Sequence, residues 1–375
     1  MSNMIRIDEI YENTFWHWMK QNIPTTRMWF CDPPGTSARE NLKLLSQNEN
    51  DQYYIYFHDQ EPIYSDLHSE IFDALITKNF DIYPIHHSQK KKTGIVTSEY
   101  NSASLDYVCS NFEYTPYYYF YHGWAALDWY RGYDKTFLMA EPKDRHIEHS
   151  FISANRIIGG RRDHRILLFF QLQYHNVKNA LISFPKTCPV ENIEAVDIAK
   201  KFEPTYSKIV ATIKQAELPW NFPEEQDHPM ASCWLDLFDI SSKCLATLVT
   251  ETSYFGKKNH LTEKTFKPIC MKMPFIIASN AHSLKYLRKY GFKTFGDYWD
   301  ESYDDEDNDY FRLGKLSKVC ETLDKMNIKQ LNELKNAVQP VVEHNFNHFY
   351  SGAFENILWE EMQDMLGQMK NDFCV

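Results

Sequence analysis

The chain has 375 residues, of which 43% are hydrophobic, 24% charged and 15% aromatic, with a formal net charge of -11. Single cores stop growing at roughly 250–300 residues, so two domains are expected, and the composition excludes the disordered and fibrous classes. The acidic balance excludes nucleic-acid binding through the average field, since phosphate contacts need clustered Lys and Arg; only a local basic patch is left for that role.

Taken in chain order, Met28–Cys31 leads into Asp32-Pro-Pro-Gly35, Tyr53–Phe57 into His58–Pro62, and Ile95–Thr97 into Ser98-Glu99. Each is a short apolar run ending in turn residues, the pattern of a buried strand running into a loop. Helical periodicity lies between them at 37–45 and 67–76. In the second half, Arg165–Leu172 is expected as a strand, Asp197–Ala216 as a helix, and Leu245–Val249 as a strand ending at Thr250-Glu251. Thr262–Met273 is expected as a helix kinked or shortened at Pro268, Pro274–Ser279 as a strand, Ala281–Tyr290 as a helix closed by Gly291, and 315–369 as mostly helical. Alternation of strand and helix predicts an α/β chain with largely parallel sheets. The expected domains are 1–145, an N-terminal acceptor-binding α/β domain; 146–345, a nucleotide-sugar-binding α/β domain; and 346–375, a C-terminal helix. Ligands of open α/β sheets sit beyond the carboxyl ends of the strands, which singles out the loops after Phe57, Thr97, Leu172, Val249 and Ser279.

The eight cysteines form no CxxC pair, so a zinc site of the usual spacing is not expected. No signal peptide is visible at the start, and the cysteines are expected as reduced thiols of a cytoplasmic protein. No apolar stretch is long enough for a transmembrane helix, so no membrane partner is expected.

The segment His260-Leu-Thr-Glu-Lys-Thr-Phe-Lys267 carries the most chemistry. A helix starting near Thr262 aims free N–H groups and a positive dipole end toward the cleft, Lys264 adds a point charge for phosphate, and Glu263 can accept two ribose hydroxyls. The same residues also suit an ordinary capped helix start. Thr262-Glu263-Lys264, followed ten residues on by Met273-Pro-Phe-Ile-Ile-Ala278, resembles the donor motif of the α1,3-fucosyltransferase family, with His260 where that family often has Tyr. Phe151-Ile-Ser-Ala-Asn155 with Arg165 resembles its Ser-Asn segment and pyrophosphate-binding Arg, with Arg161 and Arg162 as neighbours. Asp59-Gln-Glu-Pro62 with Ile71-Phe-Asp-Ala-Leu75 resembles its acidic residue before a proline loop. The three occur in the family's order and cover about a third of the chain.

The resemblance implies a GT-B fold: two Rossmann-like domains facing a central cleft, here with a helical C-terminus. It implies an inverting, metal-independent transfer from a GDP- or UDP-sugar co-substrate, with no prosthetic group. The donor-binding set it implies is Arg165, Arg162, Thr262, Glu263, Lys264 and Tyr254; the general base is Glu61, with Asp59 and Glu99 as rivals. The chain also resembles a group of tailed-phage proteins, on landmarks such as Phe120–Tyr133 and Asn155–Arg165. That kinship implies a hydroxymethylated base (5-hydroxymethylcytosine) of phage DNA as acceptor and arabinose or glucose as the sugar, with Lys91, Trp124 and Arg131 at the acceptor and the host cytoplasm as the location. Competing expectations are a fucosyltransferase-like enzyme acting on a glycan or small molecule, and an inactive nucleotide-sugar-binding protein. The ring-rich 117–133 segment reads either as an acceptor platform or as packing between domains. The acidic run Asp300–Asp309 reads as a solvated loop, or as the metal site of a phosphatase or nuclease.

Overall fold

The computed structural model describes residues 7–23, 26–30, 53–64, 92–133, 145–220, 222 and 238–373. The expected helices at 37–45 and 67–76, and Lys91, lie outside them. Two compact units emerge, one formed by residues 1–134 and 355–375 and the other by 135–354.

The first unit holds a four-stranded parallel sheet in the order β1 (Thr26–Phe30), β2 (Tyr53–His58), β3 (Lys92–Thr97), β4 (Tyr114–Tyr118). Parallel strands are covered on both faces and so read as continuous apolar runs; Ile55, Tyr56 and Phe57 of β2 and Ile95 and Val96 of β3 are all buried. Helix α1 (Ala103–Phe112) connects β3 to β4, and α2 (Tyr121–Leu127) follows β4. Ser102 caps α1 by accepting from the Leu105 N–H. Gly94 lets β3 take the Tyr117 ring close beside it: a Cβ there would lie 2.7 Å from that ring and 3.3 Å from Phe373.

In the second unit the order is β6 (Leu181–Ser183), β5 (His149–Ala154), β7 (Cys244–Thr250), β8 (Phe275–Ala278), again all parallel. Its helices are α3 (His164–Tyr174), α4 (Ala195–Lys200), α5 (Ile209–Gln215), α6 (Phe238–Ser241), α7 (Glu263–Cys270), α8 (Ser283–Lys289), α9 (Asp309–Asp324) and α10 (Ile328–Tyr350). The last helix, α11 (Ala353–Phe373), packs from residue 355 onward with the first unit. There Glu361 accepts from the Phe120 N–H, Asp372 accepts from the Tyr117 hydroxyl, and the Trp359 and Trp124 rings lie 4.5 Å apart.

Two expectations fail here. Arg165–Leu172 is not a strand; it lies in α3, entered through the turn Gly160–Arg162. Nearly the whole run is buried, with Phe169 on Phe184 and Phe170 on Tyr206. An element apolar all round carries no periodicity, so its type is not written in the pattern. The helix expected over 197–216 is two, α4 and α5, with Pro204 in the turn between them. By contrast, α7 ends two residues past Pro268, and Gly291 (φ 87°) follows α8 as its stop.

Candidate functional site

In the second sheet, β5 is followed in sequence by β6 on one side and β7 lies on the other. The order reverses between β5 and β7, and the crevice at such a switch point is where α/β sheets bind ligands. Asn155, the first residue past β5, pins this edge. Its Nδ2 donates to Ser153 Oγ (3.1 Å) and to the Ser183 carbonyl (3.3 Å), and its Oδ1 accepts from Thr250 Oγ1 (2.9 Å). One amide thereby ties together the ends of β5, β6 and β7.

Arg165, in the first turn of α3, is buried under that edge. Its Nη1 donates to the Ile157 carbonyl (2.7 Å) and its Nη2 to the carbonyls of Thr250 (2.8 Å) and Glu251 (3.3 Å); its buried Nε has no acceptor among the described residues. Burial, with Arg162 alongside, pulls the guanidinium down to about 10, so it stays cationic at neutral pH. Glu251, fully buried, accepts from the Thr262 N–H (3.1 Å), Thr262 Oγ1 (2.5 Å) and Thr265 Oγ1 (2.6 Å). The start of α7 is thus fastened to the end of β7 by a carboxylate at its positive end.

Between these elements lies a cavity of about 210 Å³, whose described lining residues include five cations: Arg156, Arg162, Arg165, Lys264 and Lys267. Its other walls come from β5 and β7 and include Ile152, Leu248 and Thr247, with Ser241 from α6 and Met271 just past the end of α7. No carboxylate is among these lining residues. The Lys264 ammonium is 2.7 Å from Glu263 Oε1 and 3.3 Å from Thr262 Oγ1.

Of the expected donor set, Arg165, Arg162 and Lys264 meet at this cavity, while Thr262, Glu263 and Tyr254 do not line it. Arg165 is largely committed to backbone carbonyls, so it shapes the edge rather than offering an open fork. The Thr262 N–H, expected to face an anion, is taken by Glu251, as is the Thr262 hydroxyl. Tyr254 is a core residue: its ring stacks on His164 (5.0 Å, 13°), the Arg312 guanidinium lies 4.5 Å over it, and its hydroxyl donates to the Asp309 carbonyl. Lys267 and Arg156 were not expected. A basic residue within the helix at 262–273 resembles an ordinary surface lysine; the signal that finds it is its place three residues after Lys264, on the same helical face.

The three carboxylates expected as base belong to the first unit. Asp59 follows β2 and is fully buried, its Oδ2 accepting from the hydroxyls of Tyr11 and Tyr119, both at 2.6 Å. Burial, with the Asp59 carboxylate beside it, holds the Tyr119 phenol far above its usual range. Glu99 follows β3, is buried, and accepts from the Ile63 N–H at 2.8 Å. Glu61 is exposed. Of the acceptor set, Trp124 is wholly buried beside Trp359 and offers no stacking surface. The Arg131 side chain and Lys91 lie outside the described residues.

The acidic run is more ordered than a solvated loop. Asp304 is buried and accepts from the N–H groups of Leu284 and Lys285 at the start of α8, and Asp309 pairs with the buried Arg312 at 2.6 Å. Among the described residues, no group of three or more His, Cys, Asp or Glu is placed to hold a metal ion, and no helix is long and apolar enough to cross a membrane.

No protein-family model matches this chain, and no curated protein matches it.

Proposed function

We propose that the chain is a glycosyltransferase of the GT-B class that moves a sugar from a nucleoside-diphosphate sugar to a hydroxyl acceptor. One observation carries the reading: among the described residues that line a cavity at the switch point of a parallel sheet, five are cationic and none is a carboxylate. Such a wall suits a doubly charged diphosphate. When the acceptor oxygen attacks the anomeric carbon, the bond to the diphosphate breaks and negative charge grows on the leaving oxygen. Fixed cations at that point lower the barrier without a bound metal. Glu61 takes the acceptor proton in this reading, because Asp59 and Glu99 are buried, whereas Glu61 is exposed.

The favoured acceptor is a hydroxymethylated base of phage DNA, and it rests on the tailed-phage resemblance alone, since Trp124 is core. The experiment is transfer of radiolabelled sugar from GDP- and UDP-sugars to DNA containing 5-hydroxymethylcytosine, to glycans and to small alcohols. Glu61→Gln is expected to abolish transfer while leaving diphosphate binding within about threefold, roughly 0.7 kcal/mol. Diphosphate binding with no transfer to any acceptor class would favour the inactive binding protein.

A further inference from the structure

A line of aromatic rings crosses the second unit apart from the cavity, and none of them is among the cavity's described lining residues. Tyr174 and Tyr206 both rest on the buried Phe170 ring, at 6.2 and 5.5 Å. Tyr310, at the start of α9, lies between Tyr206 (6.2 Å) and Phe255 (6.3 Å), and Phe255 stands across the buried His164 ring at 6.1 Å and 83°. The buried rings beneath hold the outer ones in place, which lowers the ordering cost of binding on them. Tyr174 is 67% exposed, Tyr310 41% and Phe311, the next residue on α9, 69%, while Tyr206 and Phe255 are half-buried. Single exposed rings are ordinary, but a joined series of them marks an interaction surface. Gly314 is an independent observation. It stands on α9 one turn past Tyr310 and Phe311, and a Cβ there would meet nothing within 4 Å. Glycine weakens a helix relative to every residue except proline, and among the described residues no neighbour requires it here. The missing side chain leaves a shelf beside the two rings.

We infer that this strip is a carbohydrate-binding surface, which takes a neutral sugar chain on Tyr310 and Phe311 over the Gly314 shelf. The inference goes beyond the proposed transfer and stands whether or not the cavity is a donor site. The C–H face of a pyranose is apolar and weakly positive, which matches a ring face whose quadrupole is negative. Its hydroxyls find acceptors in the exposed carboxylates of Asp305 and Asp307, just before Tyr310 in the chain. The same carboxylates repel phosphate and sulfate, which sets the surface against nucleic acid and anionic glycans. Size sets it against a second copy of the chain. At their exposures the three open rings offer about 270–440 Å², short of the roughly 800 Å² per partner of a stable protein interface.

The test is affinity electrophoresis of the full chain through gels holding a soluble α-glucan, β-glucan or galactomannan, with hyaluronan and DNA as anionic controls. At least one neutral polysaccharide is expected to retard the wild type, and neither anionic polymer is. Phe311→Ala and Tyr310→Ala should each weaken the retardation by about five- to tenfold, as loss of one stacked ring does. Gly314→Gln should abolish it by filling the shelf, although the substitution favours the helix and is expected to raise the melting temperature. That last pair of results separates a binding surface from a structural one, and diphosphate binding should be unchanged in all three variants. Absence of retardation by any neutral polysaccharide would overturn the inference, as would retardation that survives in Phe311→Ala and Gly314→Gln. Retardation by hyaluronan or DNA alone would overturn it too. A wild-type dimer in sedimentation that Phe311→Ala dissociates would assign the strip to a second copy and overturn it. Each of these outcomes leaves the proposed donor site standing, because that site is read from diphosphate binding.

Discussion

The two units solve the same structural problem and finish it with opposite chemistry. Each has a four-stranded parallel sheet, and in each the functional candidates sit just past the carboxyl ends of the strands. At the first sheet's edge the chain has closed over two carboxylates, Asp59 under two phenols and Glu99 under a backbone N–H, while Glu61 stays exposed. Past the second sheet's edge Glu251 is likewise closed over, by Thr262 and Thr265, but five cations of the described residues line open volume beside it. Topology decides where a site can form, while the residues immediately after each strand decide whether that place is sealed or left open. A sealed edge stores stability, and an open one is ready for a ligand.

Removing a buried charge is expected to do the most damage. Arg312 is fully buried and donates to the carbonyls of Ser279, Glu306 and Tyr254 as well as to Asp309. Arg312→Ala should lower the unfolding free energy of the second unit by about 3–5 kcal/mol in urea denaturation. A loss below about 1 kcal/mol would mean that the acidic run is held by something else.

On the sealed side, Tyr119→Phe leaves Asp59 with one donor fewer in a buried setting and should cost about 1–3 kcal/mol. If Tyr119→Phe were neutral, the tyrosine shell would not be what keeps Asp59 inside.

The contrast also has a pH signature. Burial, with Arg165 and Arg162 nearby, holds the His164 imidazole well below its usual value. The folded state keeps it neutral, whereas the unfolded chain takes up a proton below about 6.5. Stability is therefore present above that pH and is lost as pH falls, by up to about 1.4 kcal/mol per unit for this one proton. Melting curves between pH 7.5 and 5.5 should fall more steeply for the wild type than for His164→Phe; parallel curves would remove His164 from the account.

The smallest effect is expected in the exposed part of the acidic run. Asp305 and Asp307 are solvent-exposed beside His282. Asp305→Asn with Asp307→Asn should shift stability by no more than about 0.5 kcal/mol and leave diphosphate binding unchanged. Loss of a catalytic activity in that double variant, together with sensitivity to chelator, would revive the metal-dependent hydrolase reading.

Much of this contrast is legible before any coordinates. β1, β2, β3, β7 and β8 announce themselves as short apolar runs that stop at turn residues, and Lys264 stands out because it follows a capping threonine at a helix start. What is not legible is what requires distant partners. Asp59 and Glu61 look alike in sequence; the phenols that bury Asp59 come from positions 11 and 119. Glu251 reads as a polar strand end until Thr262 and Thr265 arrive on another element. Arg165 lies in a run so apolar that helix and strand fit equally well, and its guanidinium, expected on phosphate, is largely occupied by carbonyls of the strand ends. Lys267 looks like a surface lysine because the wall it faces comes from β5 and β7.

The central claim is that the open edge is a diphosphate site. It is tested most directly by a thermal-shift panel of GDP, UDP, ADP and TDP, with and without Mg²⁺, on the wild type and Lys264→Ala. One diphosphate is expected to stabilise the wild type without metal, by about 2.7 kcal/mol at a hundred times its dissociation constant, and to lose that effect in Lys264→Ala. Absence of any shift across the panel, or an equal shift in the variant, would contradict the claim.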